Sequence, residues 1–172
     1  MKSIVISSAH GKYVRGAKSI LDEVDESRRV VSKVADYLRK ANVKVTTFND
    51  DSSRTVSANL NTIVNFHNAQ KRDLDVSVHF NAVGGGRHSR PIGTETLFVS
   101  QQSLARHISA AITYASGLID RGPKKRTNLA FLNRSKKPAV LLEICFVDSQ
   151  ADADIYRKHF NAICEAIAKA LH

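Results

Sequence analysis

Among the residues able to do chemistry in this chain, three stand out by position. His10 follows the apolar run Ile4-Val-Ile, His79 lies near the end of Asp75–Phe80, and Glu143 sits inside Pro138-Ala-Val-Leu-Leu-Glu-Ile-Cys-Phe-Val147. A carboxylate inside an apolar, branched run is costly to desolvate unless a partner meets it or it faces a cleft at a strand end. A fourth feature is the acidic group Asp22, Glu23, Asp25 and Glu26. Two histidines and one carboxylate form a donor set for a catalytic zinc, with water completing the coordination. Such a site lowers the pKa of the water toward ~7, and a further carboxylate then serves as general base. On this reading His10 and His79 are ligands, one of the four acids supplies the third, and Glu143 is the base. Each residue also has a plainer reading. A histidine after a strand often only bonds its loop, and acids before a helix cap it and complement its dipole.

These side chains need elements to hold them. Lys2–Ser7 reads as a first strand, followed by Ser8-Ala-His10-Gly11 and a polar loop to about Leu21. Over Asp22–Ala41 the apolar residues Val30, Val31, Val34, Tyr37, Leu38 and Ala41 share one helical face, and Asn42 can end the helix. Val43–Phe48 is a second strand, Arg54–Gln70 a second helix and Asp75–Phe80 a third strand. Gly84–Gly86 with Arg87, His88 and Arg90 forms a loop, Gly93–Val99 a fourth strand and Gln101–Leu118 a third helix. Asp120–Lys137 reads as a basic loop with a short strand at Leu129–Leu132. The Glu143 strand follows, and Gln150–Leu171 is a last helix. Alternation of this kind predicts an α/β fold in one domain, 1–172. The sheet is expected to be mostly parallel and twisted, of about five to six strands, with helices on both faces. In such sheets sites form beyond the carboxyl ends of the strands. His10, His79 and Glu143 all fall at or near such ends.

Composition narrows the classes. At 172 residues the chain can bury a proper core. No apolar run is long enough to span a membrane, and the apolar stretch at the N-terminus is too short for a signal peptide. Cys145 and Cys164 lie in apolar surroundings, and reduced thiols are expected rather than a disulfide. The net charge of +10, from 26 Lys plus Arg against 16 Asp plus Glu, favours an anionic partner. With no tryptophan and no recognised nucleic-acid motif, nucleic acid is not the expected one.

Several short motifs then fall in one order. They are Ile4-Val-Ile-Ser-Ser-Ala-His10-Gly11, Gly16-Ala17, Glu26 opening a helix, Ser77-Val-His79-Phe-Asn81-Ala82, Gly93-Thr-Glu95, Asp120-Arg-Gly122, and Pro138 through Glu143 to Phe146. From Ile4 to about Leu171 this resembles the zinc-dependent N-acetylmuramoyl-L-alanine amidases of the type-3 class, found in autolysins and phage endolysins. Two departures are a Ser-Ala before His10, where an Asp/Asn-Pro-Gly run is usual, and Cys145 where glycine is common. The resemblance implies one Zn2+ per chain held by His10, Glu26 and His79, with Glu23 as second choice for the carboxylate, and Glu143 as catalytic base. It implies cleavage of the amide between N-acetylmuramic acid and the L-alanine of the stem peptide. Asn81 and Arg121 are expected to touch substrate, whereas Glu95 is expected on the surface or behind a histidine. Bacterial peptidoglycan is the expected partner, with anionic wall polymers as a further one drawn by the basic stretch Arg121–Lys137. An endolysin-like passage from host cytoplasm to wall is expected, or else a catalytic portion of an exported autolysin. The readings that compete are a zinc peptidase acting within the stem peptide and a non-catalytic wall-binding domain.

Overall fold

The structure, a computed structural model, describes residues 2–172. Among the described residues the elements run β1 (Ser3–Gly11), α1 (Glu23–Lys40), β2 (Lys44–Asp50), α2 (Val56–Ala69), β3 (Leu74–Asn81), β4 (Thr94–Phe98), α3 (Gln102–Ser116), β5 (Asp120–Lys125), α4 (Ala130–Arg134), β6 (Ala139–Phe146) and α5 (Gln150–Leu171). One six-stranded sheet has the order β2-β1-β3-β6-β4-β5. Strands β2, β1, β3 and β6 are parallel. β4 runs antiparallel to β6, and β5 runs parallel to β4. The expected mostly parallel α/β sheet is therefore what forms, with a reversed pair at one edge.

Alternation along the strands divides the core. Val76, Val78 and Phe80 of β3 and Val140, Leu142 and Ile144 of β6 pack in one cluster with side chains of α1, α3 and α5. The intervening β6 residues Ala139 and Leu141 pack with Ile63 of α2 and Phe131 and Leu132 of α4. Glu143 and His79 follow this second alternation, so they lie on the α2/α4 side. Helix α1 forms where its apolar stripe predicts: Val30, Val34 and Leu38 are fully buried, each contributing about 1.5–3 kcal/mol of transfer free energy. Asp22 caps its start, accepting from the N–H groups of Val24 and Asp25. Asn42, with φ 60°, ends it as expected.

The stretch read as a basic loop is ordered differently. Asp120–Lys125 is the edge strand β5, where Pro123 has no inner ladder to break. Leu129–Leu132 is not a strand. Leu129 is extended, and the chain then turns into the short helix α4, because Phe131 and Leu132 bury their side chains under the sheet. β1 also continues past Ser7 to Gly11, through a register shift.

Candidate active site

Both histidines stand at irregularities of the ladder. The pairing of β1 shifts between Ser7 and Gly11, and that of β3 between His79 and Asn81. Bulges of this kind re-aim side chains at strand ends. His10 lies in the left-handed region at φ 54°, a conformation rare for residues other than glycine but several-fold enriched for histidine. Its ring meets that of His79 edge to face, with centroids 5.3 Å apart.

The carboxylate between the two rings is Glu23. His10 Nε2 is 3.1 Å from Glu23 Oε2, and His79 Nδ1 is 3.1 Å from Glu23 Oε1. The backbone N–H of Ala17 donates to Oε2 (2.8 Å) and that of Phe80 to Oε1 (3.2 Å). Burial works to raise the Glu23 pKa, but the bonds from His10 and His79 outweigh it and hold the group well below the usual carboxylate range. For His79, burial lowers the pKa, and the attraction of Glu23 only partly opposes this.

Glu26, expected in this place, is elsewhere. Its Oε2 accepts from the Tyr156 hydroxyl (2.7 Å) and from Arg29 (2.8 Å), which ties α1 to α5. Three residues along a helix keep Glu23 and Glu26 near one face, so their spacing does not separate them. What does is the cap. With Asp22 as N-cap, Glu23 is the first helical residue, at the end of α1 nearest the strands' carboxyl edge.

Glu143 lies opposite His79 on one side and opposite Glu95 on the other. Among the described residues its buried Oε2 has no hydrogen-bond partner. Burial, reinforced by the charges of Glu23 and Glu95, pushes its pKa well above the carboxylate range. Glu95 is neither on the surface nor behind a histidine: it is 5% exposed. It accepts from Arg121 Nε (2.8 Å) and from Asn81 Nδ2 (3.3 Å). Arg121 also lies over the Phe146 ring, 5.1 Å from its centroid. Asn81 and Arg121 thus both reach Glu95, and Asn81 lines a cleft together with His10, His79, Glu95 and Glu143. The cleft, of about 420 Å³, continues over the sheet to Arg126 and Phe131.

The donor set suits a metal. His10, Glu23 and His79 each offer a ligand atom, and these atoms lie within 4.8 Å of one another. Imidazole, carboxylate and imidazole match the ligand types of catalytic zinc sites. Gly16 lets its loop close on the donor groups: a Cβ there would collide with Glu23 Oε2 and with Cδ2 and Nε2 of His10. Sequence reading passed over this glycine's purpose, which only the packing reveals.

Residues 4–172 match the family model described as N-acetylmuramoyl-L-alanine amidase. A Clostridium perfringens protein known only as an uncharacterized 38.4 kDa protein is 31% identical over 173 residues, covering 98% of this chain and 50% of that one. The endolysin of Bacillus phage SPP1 is 29% identical over 182 residues, covering 99% of this chain and 65% of its own. The chain thus spans about half to two-thirds of the length of these two relatives. Among solved structures, the catalytic domain of the CD27L endolysin, described as targeting Clostridia difficile, superposes with a TM-score of 0.85. It is 25% identical, and the match covers 99% of this chain and 97% of that one.

Proposed function

This chain belongs to the N-acetylmuramoyl-L-alanine amidase family, and from that premise we propose that it hydrolyses the amide joining N-acetylmuramic acid to the L-alanine of the stem peptide. The observation that carries the reading is a single juxtaposition. A His10/Glu23/His79 donor set stands beside Glu143, whose carboxylate oxygen is buried and free of any described protein partner.

His10, Glu23 and His79 would hold zinc, which when bound supplies Lewis acidity to polarise an amide carbonyl and make water nucleophilic near neutral pH. The remaining chemistry belongs to the chain's own groups. Glu143 accepts the proton that the attacking water loses, and its buried Oε2 is the atom with no competing donor. The same carboxyl then returns that proton to the departing L-alanine nitrogen, so the products are a lactyl carboxylate and a free amine. The raised pKa suits this double duty, because a carboxyl that binds a proton more tightly is a stronger base. Asn81 and Arg121 hold Glu95 in place opposite Glu143, which fixes the wall of the cleft against which the substrate lies.

Relatives named as endolysin and as cell wall amidase support the bacterial wall as the place of action. Digestion of purified peptidoglycan with and without a chelator, read by mass spectrometry, tests the proposal. Stem peptides with a free L-alanine amine, appearing only without chelator, are expected. Cuts inside the peptide would overturn the assigned bond and favour a peptidase. Intact walls, with zinc bound, would favour a wall-binding domain.

A further inference from the structure

One cationic side chain in the cleft has no part in the chemistry just described. Arg126 is the only lysine or arginine among the described residues lining it, whereas Glu95 and Glu143 contribute two carboxylates near the histidines. The two other arginines of the basic stretch are engaged: Arg121 bonds Glu95, and Arg134 donates to Asn61. Arg126 is exposed, but its backbone is held in place. Its N–H donates to the Phe98 carbonyl (2.9 Å), carrying the β4–β5 pairing one residue past Lys125. On its other side, Asn133 of α4 donates to the Thr127 carbonyl. The backbone is fixed on both sides of the arginine.

Register gives the spacing. Glu95 is opposite Glu143, and Phe98 is opposite Val140. Lys125 is opposite Phe98, so Arg126, one residue further, starts four strand positions from the level of Glu143, about 13 Å at ~3.3 Å per residue. Because its side chain lines the same cleft, its guanidinium serves a group one or two extended peptide residues beyond the reacting bond. Apolar side chains of Leu60, Leu129 and Phe131 line the cleft as well, a surface for the aliphatic parts of such a peptide.

We propose that Arg126 is a specificity-determining residue that binds a free carboxylate on the peptide side of the scissile amide, on the residue after the one supplying the leaving nitrogen. The inference rests on the amidase reading for the identity of the substrate. A guanidinium pairs with a carboxylate through two parallel, charge-assisted bonds and has no equivalent match in a carboxamide. A phosphate of a wall polymer presents the same oxyanion chemistry, so the test must separate the two sources.

Binding is measured by calorimetry on zinc-loaded Glu143→Gln protein, which leaves the ligand intact. The ligands are N-acetylmuramoyl-L-alanyl-D-glutamate, the same compound with its α-carboxylate converted to an amide, and a glycerol phosphate oligomer. The acid is expected to bind about tenfold more tightly than the amide, the scale of one charge-assisted contact. Adding Arg126→Gln should bring the acid-to-amide ratio to about one, and Arg126→Lys should restore part of it. Equal affinities in the parent, an unchanged ratio in Arg126→Gln, or no binding of either muramoyl ligand would overturn the proposal. So would Arg126-dependent binding of the phosphate oligomer without discrimination between acid and amide. Cleavage of peptidoglycan by the unmodified protein is scored separately and judges the amidase reading itself, since the binding ratio needs no turnover.

Discussion

At the scale of single residues, Glu143 combines two costs that a stable fold would avoid. Its Oε2 is buried with no partner among the described residues, and the charges of Glu23 and Glu95 add to the rise in its pKa. A carboxyl whose folded pKa is raised stabilises the fold below the ordinary carboxylate range and loses that contribution as pH rises through the folded value. Glu143→Gln should therefore make the metal-free protein more stable at pH 7, by about 1–3 kcal/mol if the unpartnered group is the main cost, and the gain should vanish near pH 4. The same variant should retain zinc while activity falls ~10²–10⁴-fold, the range for loss of a general base. Thermal melts at both pH values and metal analysis check this, and a variant no more stable than its parent would contradict the burial argument. Glu23 and Glu26 make a second pair of contrasting expectations. Glu23→Gln should weaken zinc binding, since it removes the carboxylate that meets both histidines. Glu26→Ala should leave zinc bound and cost about 1–3 kcal/mol, because the buried Tyr156 hydroxyl loses its acceptor. Metal content and urea melts of the two variants separate them, and the opposite pattern would restore Glu26 to the site.

At the scale of elements, the apolar periodicity of α1 and the runs of β1, β3 and β6 were legible in the sequence, since burial by solvent-averse faces leaves that trace. So was the convergence of His10, His79 and Glu143 at strand ends. The choice between Glu23 and Glu26 was not, because it depends on which carboxylate the backbone N–H groups of Ala17 and Phe80 reach across the fold. Nor was β5, a strand of charged and turn-forming residues held by its pairing to β4, with no apolar pattern of its own. A further element-scale device is the pairing of α2 to β3. Asp75 is fully buried and bonded to His67 Nδ1 (2.8 Å) and to Arg72 through Nε (2.8 Å) and an Nη (2.7 Å). Burial works to raise its pKa, and His67 and Arg72 together outweigh it, so the pKa is lowered. That contribution to stability is present above the ordinary aspartate range and is lost as pH falls below it. Asp75→Asn should cost ~3–5 kcal/mol at pH 7 by leaving Arg72 without its counter-charge. It should also flatten the acid limb of the stability curve, measured by urea unfolding between pH 7 and pH 3. An acid limb as steep as the parent's would place the pH dependence in other carboxylates.

At the scale of the whole molecule, a net charge of +10 acts on encounter with polyanions more than on the fold. Adsorption to purified walls should weaken as salt shortens the reach of those charges, which is about 10 Å at 0.1 M. The weakening should track removal of Lys124, Lys125 and Arg126. Sedimentation of the protein with walls across a salt series measures it, and an unchanged profile in the triple variant would sink the assignment to this stretch. The loop between β3 and β4 has another consequence. Asp148 accepts from the N–H groups of Val83 and Gly84, and its carbonyl accepts from His88, while Asp152 accepts from Ile92 and Gly93. Both flanks of Gly85–Arg87 are thus fastened to the start of α5 and the turn before it, while a Cβ at Gly85 or Gly86 would touch nothing. A segment spliced between those two glycines would lengthen only the unfastened arc, and each doubling of such an arc costs ~0.6 kcal/mol of closure entropy. The molecule therefore carries a ready insertion port where a second binding peptide can be grafted beside the sheet's carboxyl edge, with the anchored flanks keeping the graft from pulling on β3 or β4.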